Sequence, residues 1–472
     1  MSMEQERIFA EDLSETPSVL RYSDILKVGT PLADLQYNTF IPSNGGIFNA
    51  DQSIRIPFNC PTDSFVNLKG AYLKMRITNK NQAADAIGLD GEAGVGAFID
   101  TLRIVSGTGA LLEEIVHYNA VYALMNGLVS DNHRQSSMAL TTGTSDTPLS
   151  YQSVGEANNG AVSTDRVVID QNKSYTGTHI PMSGFFNSDR LCPLGFTNGT
   201  CYLELQLASL NSPVIVNGNA TSTSYNWQID TVELHCPVLR MGSEFNASFR
   251  QILASGIPIN WHSTSYHNVQ SSMGSVSGST TITTASRKRS VKSILTMFRK
   301  TADLTNIKVD SISCRRSLGI TDYSYTVGGL KMPSKNIKIG GAGKRTEKVD
   351  NRDVGEAYSN LVMCLSNLGN IYSATCFTPT NFYTADNNTD GTNTKNVGCR
   401  IAYGLDLEAY GHSNVQSGKN LANQGLPLVF EATCGTTAAN AGVSNSILCD
   451  QFLLYDVVYT LDGISGSITA NA

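Results

Sequence analysis

Charge is scarce in this 472-residue chain: only 16% of its residues are Asp, Glu, Lys or Arg, against roughly 25% in an average soluble domain. Together with 41% hydrophobic residues, that scarcity excludes a disordered chain and a long coiled coil. No run of about 18 apolar residues occurs, which excludes a helical membrane span. The opening segment, MSMEQERIFAEDLSETP, is acidic and lacks the basic-then-apolar order of a secretory signal, so synthesis inside the cell is expected. Cysteine occurs ten times but never as a CxxC pair, which removes zinc ribbons and thioredoxin-like redox sites. Cys201, Cys236 and Cys434 fall in strand-like runs and read as reduced, buried thiols.

Reactive constellations are missing as well. GGAGKR at Gly340 to Arg345 has the outline of a phosphate loop, but that motif needs Gly where Lys338 stands and Ser or Thr where Arg345 stands. GEAGVG at Gly91 to Gly96 lacks the spacing of a dinucleotide fingerprint. Neither HExxH nor GxSxG occurs. His235 and Cys236 are adjacent, yet neighbours on a strand point to opposite faces, and Trp261 and His262 read the same way. Glu113 and Glu114 precede a helical pattern, where acids favour the helix N-terminus, so they read as capping residues. Sequons at Asn198, Asn219, Asn246 and Asn387 read as Asn-rich loops in a chain without a secretion signal. No catalytic residue, metal site or cofactor is expected.

What the chain has in quantity is glycine (41), tyrosine (19) and tracts such as TTGTSDTPLSYQS and NGNATSTSYNW, the marks of short strands joined by polar loops. SIRIPF, AYLKMRIT and CYLELQLAS alternate apolar and polar residues, as half-buried antiparallel strands do. Two helices stand out. Tyr118, Val121, Tyr122, Met125, Leu128 and Val129 recur at three- and four-residue spacing, as do Val354, Tyr358, Leu361, Leu365 and Leu368, with Gly369 as a stop. A weaker helical stretch runs from Met241 through Phe245 and Phe249 to Leu253. Residues 1–45 show no clear strand period and read as an arm or edge segment, with Phe9, Leu13, Leu20, Ile25 and Leu26 as apolar anchors of the arm.

The second half restates the first. Leu73 answers to Met297, Gly107 to Gly328, Tyr118 to Tyr358, Leu203 to Leu428 and Val232 to Val457, at offsets of 221 to 240 residues. A period that long means two similar domains rather than a solenoid. Each half holds several strands, one solid helix and long loops, and an eight-stranded jelly roll is the economical reading. The loops from Ser130 to Asp165 and from Thr378 to Gly398 exceed ordinary connections and read as exposed surface or interface. Charge divides unevenly: residues 287–348 hold 15 Lys or Arg against four acids, leaving 19 against 36 in the remainder. Arg287, Lys288, Arg289, Lys292, Arg315, Arg316, Lys344, Arg345 and Lys348 read as a basic surface, facing inward or towards acidic neighbouring subunits, since phosphate binding needs clustered cations.

Five segments carry a resemblance: IRIPFNCPTDSFVNLKGAYLKMRI, FIDTLRIVSGTGALLEEIVHYNAVYALM, IPMSGFFNSDRLCPLGFTNGTCYLELQLASL, SVKSILTMFRK and YSYTVGGLKMPSKNIKI. In this order they resemble the double jelly-roll major capsid proteins of DNA viruses, the group of adenovirus hexons, virophages and polinton-like viruses, over roughly residues 45 to 465. The resemblance implies an all-β fold of two consecutive eight-stranded jelly rolls with a few short helices and long loops. The expected division is 1–45 arm, 46–240 first roll, 241–256 helical linker and 257–472 second roll. It also implies a structural subunit, not an enzyme, that forms homotrimers and packs as capsomers into an icosahedral virion shell assembled inside the host cell. Neighbouring capsomers, vertex (penton) proteins and minor capsid proteins are the implied partners, with viral DNA or an inner membrane as candidates for the basic segment. The alternative from another class is a viral receptor-binding or glycan-binding jelly roll. Such proteins usually add a coiled-coil stalk, and no heptads appear here.

Overall fold

The alternating segments pair as antiparallel strands in a computed structural model that describes residues 33–81, 85–129, 139–144, 166–216, 225–274, 278–301, 304, 311–313, 315–316, 318–339, 355–365, 387–390, 393–396, 401–409, 417–422, 427–434 and 446–472. The first half holds β1 (Ala33–Phe40), β2 (Phe48–Asn49), β3 (Ser53–Phe58), β4 (Ser64–Val66), β5 (Tyr72–Asn79), β6 (Ile87–Leu89), β7 (Ile99–Val105) and β8 (Leu111–Ile115). Helix α1 (Tyr118–Val129) follows, then β9 (Val168–Ile169), β10 (Ser174–His179), β11 (Cys201–Leu207), β12 (Val214–Val216) and β13 (Trp227–Met241). Helix α2 (Ser243–Ala254) leads into β14 (Ile259–Met273), β15 (Gly278–Thr284), β16 (Val291–Lys300), β17 (Ile320–Val327) and β18 (Leu330–Lys338). After helix α3 (Gly355–Leu365) come β19 (Asn387–Asp390), β20 (Asn393–Asn396), β21 (Tyr403–Asp406), β22 (Leu428–Cys434), β23 (Ile447–Leu461) and β24 (Ile468–Asn471).

Pairing makes each half a jelly roll. In the first, β13 lies between β2 and β5, with β10 outside β5, and the facing sheet runs β3–β11–β7–β8. In the second, the sheets run β14–β23–β16–β21 and β15–β22–β17–β18. Taken in chain order, the eight strands of each half occupy the same eight places, so the fold is a double jelly roll. The sequence landmarks fall on matching elements: Leu73 and Met297 on β5 and β16, Gly107 and Gly328 in the turns after β7 and β17, Leu203 and Leu428 on β11 and β22, Val232 and Val457 on β13 and β23. Helices α1 and α3 follow the matching strands β8 and β18.

Two strands show how burial shapes the sequence. In β11, Cys201, Leu203, Leu205 and Leu207 are buried while Tyr202, Glu204 and Gln206 reach the surface, the alternation of a sheet with one dry face. In β16 every residue from Val291 to Arg299 is buried, so its sheet is covered on both faces. Strand β1 decides between the two readings of the opening segment for residues 33–40: they are an edge strand, paired with β13 from Ala33↔Met241 to Phe40↔Leu234. Leu35 and Tyr37 on it are exposed. Backbone pairing rather than side-chain burial holds this strand, so it leaves no burial period to read. The arm residues Phe9, Leu13, Leu20, Ile25 and Leu26 lie outside the described residues, as do Leu368 and Gly369.

Aromatic residues fill both cores. Trp227 meets Phe98 edge-on at 4.8 Å and donates its indole N–H to the Leu210 carbonyl. In the second roll Tyr323, Tyr325, Tyr403 and Phe430 pack at centroid distances of 5.0 to 6.0 Å, and the Tyr325 hydroxyl donates to the Tyr403 carbonyl while accepting from the Thr296 hydroxyl. Such edge-on arrays add to area burial, and a buried hydroxyl needs its partner. Gly404 on β21 lets α3 approach, since a Cβ there would sit 2.7 Å from the Cys364 sulfur. Helix α1 is joined to β10 through Tyr118, whose hydroxyl lies 2.7 Å from His179 Nε2 and accepts the Met182 N–H.

His179 is fully enclosed, and burial pulls its pKa down to about 3. The native imidazole therefore stays neutral where the unfolded chain, titrating near 6.5, takes up a proton. Stability is expected to fall as pH drops from about 6.5 to about 3, this residue contributing a slope of about 1.4 kcal/mol per pH unit. Denaturant midpoints measured across that range check this, and His179→Gln should remove that share of the slope.

Candidate assembly surfaces and the buried seam between the rolls

The pair Glu113 and Glu114 in β8 separates by strand alternation. Glu114 turns outward and meets Arg103 across the ladder at 2.6 Å. Glu113 turns inward and is buried. Its carboxylate accepts hydrogen bonds from the backbone N–H groups of Gly184 (2.7 Å) and Phe185 (3.0 Å), from the Ser265 hydroxyl and from the Tyr459 hydroxyl (3.2 Å). Gly184 and Phe185 belong to the first roll, Ser265 and Tyr459 to β14 and β23 of the second, so one carboxylate ties both rolls. The capping role expected for these glutamates is corrected accordingly: α1 starts at Tyr118, and both carboxylates belong to a strand. Gly184 is required at this contact, because a Cβ would lie 3.0 Å from the Tyr459 hydroxyl and from Val457. The Phe185 ring meets Tyr459 edge-on at 5.2 Å.

Two further contacts lie along the same seam. In the connections after β5 and β16, Arg315 pairs with Glu92 at 3.0 and 3.4 Å, with both side chains inaccessible to solvent. Beside them the Ser313 hydroxyl donates to Asp90 at 2.6 Å. At the opposite end of the rolls, Asn198 donates its backbone N–H to the Gly466 carbonyl (2.8 Å) and its side-chain amide to that of Ser465 (2.6 Å). A charge taken from water is tolerated when it is paired and its remaining lone pairs are satisfied. In the seam Arg315 and Glu92 supply each other's counter-charge from opposite halves of the chain.

The basic residues do not form one surface. Lys292 is buried in the second roll, 2.9 Å from Asp456 and 3.6 Å from Glu408. Arg315 and Arg316 are buried as well. Lys288 is half-buried, with its ammonium 4.0 Å from the centre of the Tyr455 ring. Arg287 and Arg289 are exposed, while Lys344, Arg345 and Lys348 lie outside the described residues. The expectation of a basic surface is therefore corrected for Lys292, Arg315 and Arg316: their charge is matched or enclosed within the chain. The local excess of cations partly reflects acids that this segment must meet inside the fold, Glu92 of the first roll among them.

No catalytic arrangement emerges among the described residues, and none of their His, Cys, Asp and Glu side chains gather in threes that could hold a metal ion. Cys192, Cys364 and Cys449 are buried thiols whose pKa burial pushes well above the ordinary value, which disfavours the reactive thiolate. Cys236 is buried with His235 on the opposite face, 3.1 Å from Glu233 and stacked on Tyr72. The residue missed from sequence was Glu113. Its signal was present in LLEEI, where alternation obliges one of two adjacent carboxylates in an apolar strand to face inward.

No protein-family model and no curated relative matches this chain. Solved structures match along nearly its whole length. The Faustovirus major capsid protein aligns at 10% identity and a TM-score of 0.57, covering 95% of this chain and 93% of that one. The mavirus major capsid protein aligns at 11% identity and a TM-score of 0.54, covering 97% and 95%. A chain of the Sputnik virophage aligns at 9% identity and a TM-score of 0.57, covering 97% and 92%. At such identities the likeness is one of fold.

Glu113→Ala strands four neutral donors in a dry seam and is expected to cost about 2–4 kcal/mol, since a buried donor left without its acceptor costs about 1–3 kcal/mol and the two hydroxyls can turn to other partners. Glu114→Ala removes a surface pair and should cost about 1 kcal/mol or less. Chemical denaturation of the two variants side by side measures the difference.

Proposed function

We propose that this chain is the major capsid protein of an icosahedral DNA virus, a structural subunit with no chemical step. The observation that carries this reading is the end-to-end likeness to major capsid proteins: both rolls, in the same order, with almost nothing left over on either side. Three copies of a two-roll chain present six similar sandwiches, which suits a pseudo-hexagonal place in a shell. Assembly then rests on burial of apolar surface and strand edges between copies, with obligate interfaces that commonly exceed about 2,000 Å².

The ends of the rolls differ in a way that supports one orientation. Successive strands alternate in direction, so the connections carrying α1 and α3 emerge at one end. The other end gathers α2, the start of β1, the last residues of the chain and the segment with Arg287 and Arg289. Contacts there include Arg250 with Asp63 at 2.7 and 2.8 Å, and the Leu421 N–H with the Lys288 carbonyl. In this reading the second end faces the shell interior, where Arg287 and Arg289 meet viral DNA, an inner membrane or minor capsid proteins. The amino-terminal arm, through its first residues with Phe9, Leu13 and Leu20, then straps towards neighbouring capsomers, and vertex proteins complete the shell. The division into rolls at 46–240 and 257–472 with a linker between them belongs to the same proposal, and the segment to residue 45 includes β1 on the edge of the first roll's sheet.

Electron microscopy of the purified protein tests this directly. Hexagonal trimers or closed shells are the expected result, and an isolated elongated trimer that binds glycan contradicts it. Deleting residues 1–30 is expected to leave trimers intact and abolish shells, so normal shells from the shortened chain would rule out the strap. Arg287→Glu with Arg289→Glu should impair genome or membrane contact more than trimer formation, as judged by nuclease-protected DNA or lipid in purified particles.

A further inference from the structure

At the end of the first roll, α2 leaves an apolar ridge uncovered. Phe245 is 46% exposed, Ile252 43%, Ile257 56% and Ile464 80%. Isolated exposed apolar residues are ordinary, but a contiguous patch marks a contact. Phe245 and Ile252 lie seven residues apart on α2, two helical turns along one face, and Ile257 and Ile464 lie at its C-terminal end. Phe245 stacks on Phe249 at 6.1 Å, both against Phe65. The 463–464 turn lies on the helix end, where a Cβ on Gly463 would meet the Leu253 carbonyl at 2.3 Å and one on Gly256 would meet Ile464 at 3.4 Å.

The chain itself points to the occupant. Strand β1 pairs antiparallel to β13, with Ala33 opposite Met241, two residues before α2 begins at Ser243. Followed backwards from Ala33, the chain leaves the sheet in the direction in which β13 runs into α2. Thirty-two residues lie beyond that point. The nearest of them, RYSDILKVGTPL at 21–32, carry Tyr22, Ile25, Leu26 and Val28. The lengths agree. From the start of α2 to Ile252 is about 14 Å along the helix, and eight extended residues from Ala33 back to Ile25 reach about 26 Å, enough to arrive at Ile257 and Ile464.

We propose that residues 21–32 of the same chain cover the Phe245–Ile252–Ile257–Ile464 ridge, with Ile25 and Leu26 seated on Ile252 and Ile464. The contact fixes where the arm leaves the roll and in what direction, and it leaves Phe9, Leu13 and Leu20 free to reach another copy. It stands on the exit point and the ridge, so it holds or fails separately from the capsid reading.

The test uses the full-length chain with a photo-crosslinking side chain in place of Ile25, purified from a mixture of isotopically light and heavy protein. Crosslinks from position 25 into the peptides holding Ile252–Ile257 or Ile464, joining light to light and heavy to heavy, are expected. The double variant Ile252→Asp with Ile464→Asp should lower that yield about tenfold or more, given the apolar contact it removes. Both positions are exposed, so melting temperature and circular dichroism should match the parent. If the double variant is unstable, Ile464→Ser alone, expected to lower the yield severalfold, takes its place. Crosslinks elsewhere, crosslinks only between light and heavy copies, or a yield unchanged by the substitutions overturn the proposal. Because the readout is a crosslink and not a particle, a chain that forms no shells but gives the expected crosslinks overturns only the capsid reading.

Discussion

The arrangement of this molecule depends on a carboxylate that belongs to one roll and is satisfied by both. Glu113 sits where water is excluded, and two of its four donors come from backbone N–H groups of the first roll while two hydroxyls come from the second. A polar group in a dry interface has little tolerance for sliding, because each hydrogen bond lost leaves buried polar atoms unsatisfied. An apolar interface accepts a range of offsets at small cost. A polar one with a single satisfying geometry does not. Glu92 with Arg315 near one end of the rolls and Asn198 with Gly466 near the other spread the same constraint along the seam.

This constraint accounts for sequence features that look unrelated at first. The β16 segment VKSILTMFRK has no polar face to water because both faces of its strand are covered. Arg299 on it meets Asp450, itself held by Gln270, within that buried sheet. The excess of cations in residues 287–348 is spent partly on such internal acids. Low overall charge follows from the same geometry, since a chain with two rolls pressed together and more surface reserved for neighbours has less need of charged residues.

Much of the fold was legible because burial writes periods. Alternation in SIRIPF and CYLELQL, three- and four-residue spacing in α1, and the repeated order of landmarks all come from faces that must be dry. What escaped notice has no such mark. Strand β1 is held by backbone bonds while Leu35 and Tyr37 face solvent, so its residues do not tell an edge strand from an arm. Glu113 looked like a helix cap because the sequence cannot show that β8 lies against a second domain. Lys292, Arg315 and Arg316 looked like surface because a charge is buried only where a distant acid comes to meet it, and Glu92 is more than two hundred residues away. Local patterns are legible, whereas partners brought together by tertiary packing are not.

A rigid pair of rolls would suit the proposed place in a shell, because an angle that wandered within each subunit would be multiplied across it. The central claim is therefore that the seam makes two rolls behave as one body. Calorimetry of the purified protein tests it most directly. A single unfolding transition, with calorimetric and van't Hoff enthalpies in a ratio of about one for the two-roll chain, is the expected result. Two separable transitions, one for each roll, would contradict it.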